Sequence, residues 1–489
     1  MVETDARADA GTGRDPMKLY QVLIRFFRVV NRLYFADIQA FGRRRVPKRG
    51  PVLLAANHPG SILDAILLST QFQRPIRYLA RSGLFRWPIL ATLFRQLGAI
   101  PVYRRHETGD HAQRNVEAFE RVFRVFERGG CVGIFPEGRN SPVQQVGELR
   151  TGAARMALGA EARNDYRLGV VIVPVGILFA NREFLNTAAV LRCGRPIAAA
   201  DYADLHRDAP EAAVRKLTRD LQAALRRQAA HIEDLQLGEL ASDIAALRVQ
   251  DAPRPPAAGP RPSALRRWLR ALAGSYRRGR SRSEGQALLH RVHDRQRIAA
   301  TLARAARTEP EAVTELRRRL ERYHDHLDQT RLRRTLARTH QRPLRGRWPR
   351  VRFTVYALAM APVAGFGLVH NAVPYFFARW LARRFRDDAV RLFASFMLGV
   401  LAFGATYAGI GVWLYRDLGL GAAWTAAYMA LLPPTGLAAL GYRRSLFVYR
   451  DRILVRTLLS HHRDLANRLR RERGEILEAF HALAERHRA

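Results

Sequence analysis

Three long apolar runs in the C-terminal third constrain the fold more than any other feature of this chain. They cover residues 353–376, 392–414 and 418–440. The second run carries no charged residue, and its length matches the roughly 20 residues that cross the hydrocarbon core of a bilayer. The core of a soluble domain rarely needs three such runs so close together. The sequence therefore predicts an α-helical membrane domain over 351–445.

The charges that flank these runs predict a topology. Arginines are concentrated between the first and second runs and again after the third, whereas the link between the second and third holds one arginine and one aspartate. The positive-inside rule favours both arginine clusters in the cytoplasm, which requires two spans, 392–414 and 418–440. The run 353–376 is then re-entrant or a third span. Its two prolines and its His370-Asn371 pair are typical of broken structure buried in protein.

The N-terminal half alternates short apolar runs with helical patterns, which indicates an α/β domain with a sheet flanked by helices over 51–250. From 18 to 41, apolar residues at helical spacing lie beside arginines. This pattern predicts an amphipathic helix over 17–50, which either lies on a bilayer or packs on the α/β domain. Residues 1–16 are predicted to be a disordered tail.

The region between the two predicted domains is rich in proline and then in arginine. We assign 251–350 to a Pro-rich linker followed by a basic helical region over 263–346. The arginines favour contact with anionic lipid head groups, and a solvated helical hairpin is the alternative. The last segment, 446–489, is predicted to be a cytoplasmic helix.

The most specific motif is the stretch Asn-His-Pro-Gly-Ser-Ile-Leu-Asp, which begins at Asn57 and follows a predicted buried strand, Val52 to Ala56. His58 and Asp64 fall at the start of a predicted helix, Ile62 to Thr70. A histidine held by a carboxylate can take a proton from a hydroxyl group. No Ser or Cys is spaced to complete a triad, so the pair suggests direct attack by a substrate alcohol. The same residues also fit an incidental histidine at a helix N-terminus.

Three later strand ends add groups of related chemistry. They read Gly-Ala-Ile-Pro-Val-Tyr-Arg from Gly98, Phe-Pro-Glu-Gly-Arg from Phe135, and Val-Ile-Val-Pro-Val-Gly from Val171, whose proline is predicted to end its strand. Together with His58 they bring a base, two guanidinium groups and a carboxylate to strand ends, where open α/β sheets bind ligands. Arginine is suited to bidentate capture of phosphate.

These four motifs, in this order, resemble the phospholipid/glycerol acyltransferase family over roughly residues 20–240. The resemblance implies that His58 is the general base on an acceptor hydroxyl and that Asp64 orients it. It also implies that two arginines bind the acceptor phosphate, that a Glu-Gly pair shapes the acceptor site, and that a proline lies on the acyl-donor side. These substrate-binding residues are Arg104, Glu137, Gly138, Arg139 and Pro174. Many members separate His and Asp by four residues, whereas this chain has five, and Gly60 predicts a looser turn.

The reaction that the resemblance implies is O-acyl transfer in phospholipid biosynthesis. An acyl thioester, either acyl-CoA or acyl carrier protein, would donate to glycerol 3-phosphate or lysophosphatidate, and neither a cofactor nor a metal is expected. Another lysolipid or a small molecule is an alternative acceptor. A non-catalytic, membrane-anchored lipid-binding protein that retains the fold is a second class. A transporter is disfavoured because two or three spans leave little room for a pathway.

Charge and cysteine content narrow the partners. Lys and Arg number 82 against 43 Asp and Glu, a formal net charge of +39. This excess fits an anionic membrane surface or nucleic acid. No nucleic-acid-binding motif is present, so membrane lipids are the expected partner. Cys131 and Cys193 are predicted to be buried core residues. The expected location is a bacterial inner membrane, with the catalytic domain facing the cytoplasm.

Overall fold

The computed structural model describes residues 16–60, 62–86, 88–103, 111–138, 145–180, 187–249, 283–329, 348–385, 388–461 and 463–487. They fall into two compact units. The first comprises residues up to 231 together with 280–289, and the second comprises 232–279 and 290–489. The predicted tail, the Pro-rich linker and the arginine-rich start of the basic region lie outside the described residues.

The first unit is built on an eight-stranded mixed sheet. The strands are β1 (Phe35–Phe41), β2 (Val52–Ala56), β3 (Ile76–Arg81), β4 (Ile100–Val102), β5 (Cys131–Ile134), β6 (Val171–Phe179), β7 (Thr187–Cys193) and β8 (Ile197–Ala198). Their order in the sheet is β1-β7-β6-β2-β5-β3-β4, and β8 pairs with β6. The central strand β2 is parallel to both of its neighbours, β5 and β6, whereas β6 and β7 are antiparallel.

Helices cover both faces of this sheet, as the α/β pattern predicts. They are α1 (Pro16–Tyr34), α2 (Ile62–Gln71), α3 (Pro88–Gln96), α4 (His111–Glu127), α5 (Gly152–Arg163), α6 (Ala203–Asp208) and α7 (Pro210–Gln228). Alternate residues of β2 enter different cores. Leu53 packs with α4, α5 and α7, whereas Leu54 packs with α2. Every residue of β2 is buried, so its sequence reads as one continuous apolar run.

The N-terminal helix is shorter than predicted. It ends at Tyr34, and Phe35–Phe41 forms the edge strand β1, which pairs in parallel with β7. The prediction of one helix through residue 41 and beyond is therefore wrong. The apolar spacing of a short run does not separate a helix from a strand, and here the open edge of β7 supplies the deciding backbone hydrogen bonds.

The described residues of the second unit form helices joined by short connections, and they contain no strand. Its helices are α8 (Leu235–Val249), α9 (Ser283–Thr308, from residue 290 onward), α10 (Pro310–Gln329), α11 (Trp348–Ala382), α12 (Asp388–Arg416), α13 (Ala422–His461) and α14 (Arg463–Arg486). A single core joins α8, α9, α10 and α14. It buries Leu240, Leu302, Leu316 and Phe480, among others. The described part of the basic region therefore packs as a bundle and is not an isolated hairpin.

Two helices among the described residues are long and apolar enough to cross a membrane, Phe353–Ala382 and Met397–Arg416. Only 17% of the most apolar stretch of the first and 6% of that of the second is buried, so their apolar side chains face outward. The helix Phe353–Ala382 differs from the re-entrant segment that was one alternative for the first run, because Pro362 and Pro374 lie within one continuous helix. Residues 422–440 of the third run form the first part of α13, a 40-residue helix.

Helices α11 and α13 pack side by side in antiparallel directions. Phe353 stacks on Tyr449 with ring centroids 3.6 Å apart. Further along the two helices, the Tyr428 hydroxyl lies 2.8 Å from His370 Nε2. Asn371 Nδ2 donates to Leu432 O at 3.3 Å. The residue numbers rise on one helix as they fall on the other, which fixes the direction. The His370-Asn371 pair thus joins two helices instead of marking a helix break.

Candidate active site

A carboxylate from the first turn of α2 holds the His58 imidazole at the end of β2. His58 Nδ1 lies 2.9 Å from Asp64 Oδ2. Asp64 is fully buried, whereas 19% of the His58 side chain is exposed. Because a carboxylate only accepts hydrogen bonds, we assign the histidine proton to Nδ1, which leaves a lone pair on Nε2. In this state the imidazole can accept a proton from a hydroxyl group.

The turn between His58 and α2 is tight. Gly60 N donates to Asp64 Oδ2 at 2.7 Å. A Cβ on Gly60 would lie 2.6 Å from Asp64 Oδ1 and 2.9 Å from Phe179 Cε2, so only glycine fits without a shift. The prediction of a looser turn is therefore wrong. The backbone of Gly60 lies directly against the Asp64 carboxylate.

Asn57 fixes the start of this turn by continuing the pairing of β2 with β6. Its Nδ2 donates to Ile177 O at 3.1 Å, and its Oδ1 accepts from Ile177 N at 2.7 Å. The side chain thus takes the place of a backbone partner just beyond the last paired residue, Ala56. The sequence analysis assigned no role to Asn57, although its position between a buried strand and His58 was an available signal.

Glu137 joins two loops at the same edge of the sheet. It follows β5, which is parallel to β2, so the two strands end side by side. Glu137 Oε1 accepts from His58 N at 3.3 Å, and Oε2 accepts from Gly147 N at 3.0 Å. Glu137 is only 4% exposed. Its carboxylate therefore positions the backbone of the candidate base.

Gly138 allows an arginine to pass close to this turn. Its φ is +66°, and a Cβ there would lie 2.7 Å from Arg150 Nε. Arg150 N donates to Pro136 O at 2.9 Å, which anchors the arginine beside the Pro-Glu-Gly turn. The Arg150 side chain is exposed. It is a cation near the site that the sequence analysis did not assign, although it lies in the Leu-Arg-Thr-Gly segment before α5.

An aromatic stack supports the imidazole. The ring centroids of His58 and Phe135 are 3.9 Å apart, and the two planes are tilted by 11°. Tyr78 stacks on Phe135 with a centroid distance of 6.1 Å. Burial raises the pKa of Tyr78 well above its usual value, so its phenol stays neutral. The stack fixes the plane of the imidazole without adding charge beside it.

Of the remaining predicted site residues, the structure describes only Pro174. Arg104 and Arg139 lie outside the described residues. Pro174 is buried inside β6, which continues to Phe179, so it does not end its strand. Pro174 O accepts from Gly194 N at 2.8 Å, one residue before the first β6–β7 pair, Val175 with Cys193. The missing N–H of Pro174 therefore lies at the end of this ladder, where it costs only the reciprocal bond to Gly194 O.

In the part of the chain that the structure describes, no group of three or more His, Cys, Asp or Glu side chains is arranged to hold a metal ion.

Comparison with known families agrees with this geometry. Residues 37–178 match the model of the family described as Acyltransferase. This segment contains most of β1, all of β2 to β5 and most of β6, together with His58, Asp64 and Glu137. The family resemblance found in the motifs is thus confirmed for this segment.

Several relatives share parts of the chain. A stretch of 112 residues is 37% identical to glycerol-3-phosphate O-acyltransferase 2 of Saccharomyces cerevisiae, covering 23% of this chain and 15% of that protein. A stretch of 157 residues is 28% identical to a 1-acyl-sn-glycerol-3-phosphate acyltransferase of Borreliella burgdorferi, covering 32% of this chain and 57% of that protein. The crystal structure of a 1-acyl-sn-glycerophosphate acyltransferase from Thermotoga maritima has a TM-score of 0.30 and 22% identity, covering 43% of this chain and 84% of that one.

Proposed function

We propose that this protein is a membrane-bound O-acyltransferase that transfers a fatty acyl group from a thioester to the hydroxyl of a glycerophosphate-type acceptor. The observation that carries the proposal is the contact between His58 Nδ1 and the buried Asp64 carboxylate, which leaves Nε2 able to act as a base. The named activities of the two relatives, on glycerol 3-phosphate and on its 1-acyl form, support the choice of acceptor class.

In the proposed reaction, His58 Nε2 takes the proton of the acceptor hydroxyl as its oxygen attacks the thioester carbonyl. Asp64 stabilises the imidazolium that forms, and the proton then passes to the leaving thiolate. The acyl carbon exchanges its bond to sulfur for a bond to oxygen, with no covalent enzyme intermediate. Acyl-CoA and acyl carrier protein are both suitable donors.

The acceptor phosphate would be bound by guanidinium groups. Arg104 and Arg139 keep the roles that the family resemblance gives them. We add Arg150, because its exposed side chain passes the Gly138 turn next to the loop that holds His58. A planar guanidinium can form two parallel hydrogen bonds to a phosphate.

The apolar helices of the second unit would keep the reaction at the surface of a membrane. Each methylene of an acyl chain that is drawn into water costs about 0.8 kcal/mol, which disfavours a freely diffusing site. The location that we propose is a bacterial inner membrane, with the catalytic unit in the cytoplasm.

The helix packing favours a different pair of spans from the charge pattern. Helices α8, α9 and α10 precede the apolar helices and share a core with α14, which follows them. Both ends of the apolar region would then lie on one side of the membrane, so the number of complete crossings would be even. The antiparallel contacts favour α11 and α13 as this pair, in which case α12 would not be a complete crossing, although it is long and apolar enough to be one. This topology puts the linkers 383–387 and 417–421 on the same side, whereas the charge pattern puts them on opposite sides.

Single cysteines at Arg384 and Asp417, labelled in intact cells by an impermeant maleimide, separate the two topologies. Equal labelling of both positions supports the α11–α13 pair. Labelling of Asp417→Cys alone would instead support the two spans predicted from charge, 392–414 and 418–440.

The enzymatic proposal is tested with the full-length protein, its His58→Ala variant and a His206→Ala control. His206 lies on α6, where its Nδ1 contacts Tyr166 at 2.7 Å, away from the cluster. Each protein is offered labelled acyl-CoA or acyl carrier protein with glycerol 3-phosphate or lysophosphatidate. Product from one acceptor, lost only in His58→Ala, supports the reaction class and identifies the substrate. Robust and equal turnover by all three proteins would contradict the role of His58.

The alternative of a non-catalytic lipid-binding protein makes a different prediction in the same experiment. No donor and acceptor pair would give product, yet the wild type and His58→Ala would bind lysophosphatidate equally well.

A further inference from the structure

A cavity lies at the far end of α2 from Asp64. Its volume is about 260 Å³. One wall is the inner side of α1, and the other is formed by the last residues of α2 and the loop that leads to β3. The lining residues are Tyr20, Gln21, Ile24, Arg25, Arg28, Ser69, Phe72, Gln73, Arg74 and Pro75.

The lining is cationic. It contains three arginines and no carboxylate. Arg74 donates to three backbone carbonyl oxygens at 2.8–2.9 Å and is therefore part of the scaffold. Arg28 uses only its Nε among the hydrogen bonds of the described residues, in a 3.4 Å contact with Thr70 O. Arg25 is exposed on α1. Arg25 and Arg28 thus offer guanidinium groups to an anion at the mouth of the cavity.

The same helix carries an apolar stripe directed away from the domain. Val22, Phe26 and Val29 recur at helical spacing and are 58%, 43% and 53% exposed. Arg25 is four residues after the lining residue Gln21 and four before Val29, so it lies on the helix surface between the cavity and the stripe. An apolar stripe bordered by arginine is typical of helices that lie at the interface of a bilayer.

We propose that this cavity binds the phosphate head group of an anionic phospholipid while the stripe of Val22, Phe26 and Val29 enters the acyl layer beside it. The arrangement needs both features. A phosphate would meet two guanidinium groups, and the acyl chains attached to it would meet the apolar face of the same helix. A free anion would use the arginines but leave the stripe in water. The site is separate from the proposed reaction centre, and its occupancy does not depend on catalysis.

The test is lipid titration of the full-length protein in a neutral detergent, followed by native mass spectrometry. The ligands are short-chain phosphatidylglycerol, short-chain phosphatidylcholine and inorganic phosphate. We expect phosphatidylglycerol to bind most tightly to the wild type. The Arg25→Gln/Arg28→Gln variant should lose at least about tenfold in that affinity, because it removes the charge-assisted hydrogen bonds. An Arg167→Gln/Arg219→Gln variant, with both changes at exposed positions outside the cavity, should bind like the wild type.

A second variant guards against a folding defect. Gln73 is exposed at the cavity, and Gln73→Glu adds one carboxylate of nearly the same shape there. It should weaken phosphatidylglycerol binding, whereas Gln113→Glu on α4 should not. The proposal is overturned if both arginine variants lose affinity equally, or if the cavity variants bind like the wild type. It is also overturned if inorganic phosphate binds as tightly as the lipid, since the cavity would then be a site for free anions.

Discussion

The Asp64 carboxylate offers a direct test of the proposed base, because one of its oxygens accepts two hydrogen bonds. Oδ2 accepts from both Gly60 N and His58 Nδ1. In an Asp64→Asn variant, the Gly60 N–H forces the amide oxygen into this position, since an N–H can only donate. The Nδ1–H form of His58 is then retained. What is lost is the negative charge that stabilises the imidazolium.

The size of this loss follows from the geometry. Two unit charges separated by the 2.9 Å contact, or by about 4 Å between charge centres, interact by roughly 4–6 kcal/mol at an effective dielectric constant of about 20. This energy corresponds to a fall of about 10³–10⁴ in the rate of the chemical step. The stability of the variant should change little, because the hydrogen bond to Gly60 survives.

The assay is single-turnover acyl transfer in rapid-quench flow, with denaturant unfolding measured in parallel. Asp165→Asn is the matched control. Asp165 is exposed and has a φ of +53°, which asparagine tolerates, so the control removes the same charge without strain. A normal rate in Asp64→Asn would refute the claim that this carboxylate stabilises a developing imidazolium.

Three further predictions concern the tight turns and the buried thiols. Gly60→Ala should cost about 1–3 kcal/mol of unfolding free energy and most of the activity, because its methyl group meets Asp64 at 2.6 Å. Gly152→Ala, where the added carbon meets nothing within 4 Å, should do neither in the same unfolding and activity assays. Gly138→Ala should also lose activity, because a φ of +66° strains any other residue and the methyl group displaces Arg150; a normal rate of acyl transfer would contradict this. Burial raises the pKa of Cys131 to about 12 and that of Cys193 to about 11, so neither thiol should react with maleimide near pH 8 until the protein is unfolded. Labelling of the folded protein, detected by mass spectrometry, would show that these strands open.

The sequence predicted the parts of the site that are local in the chain. His58 and Asp64 are joined by one turn and the first turn of a helix, so their spacing alone brings them together. The contact between His58 N and Glu137 could not be predicted from the sequence, beyond the expectation that both residues lie at strand ends. It spans 79 residues and depends on β5 lying beside β2, which the order of elements along the chain does not specify.

Other errors have a common physical origin in long-range pairing. Residues 35–41 form a strand because β7 offers an open edge, and nothing within the segment itself signals that partner. Pro174 was expected to end its strand. The strand continues because β6 stays paired with β2 on its other side, and the missing N–H of Pro174 lies at the end of the β6–β7 ladder. In both cases the position in the sheet outweighed the local preference.

The most direct test of the whole account is the single-turnover rate of acyl transfer to the preferred acceptor in the wild type and in His58→Ala. General-base catalysis predicts that the rate falls by at least about 10²–10⁴, with lysophosphatidate binding retained and no acyl adduct on the protein by intact mass. An unchanged rate in the variant, or an acyl-enzyme adduct in the wild type, would contradict direct attack by an acceptor hydroxyl activated by His58.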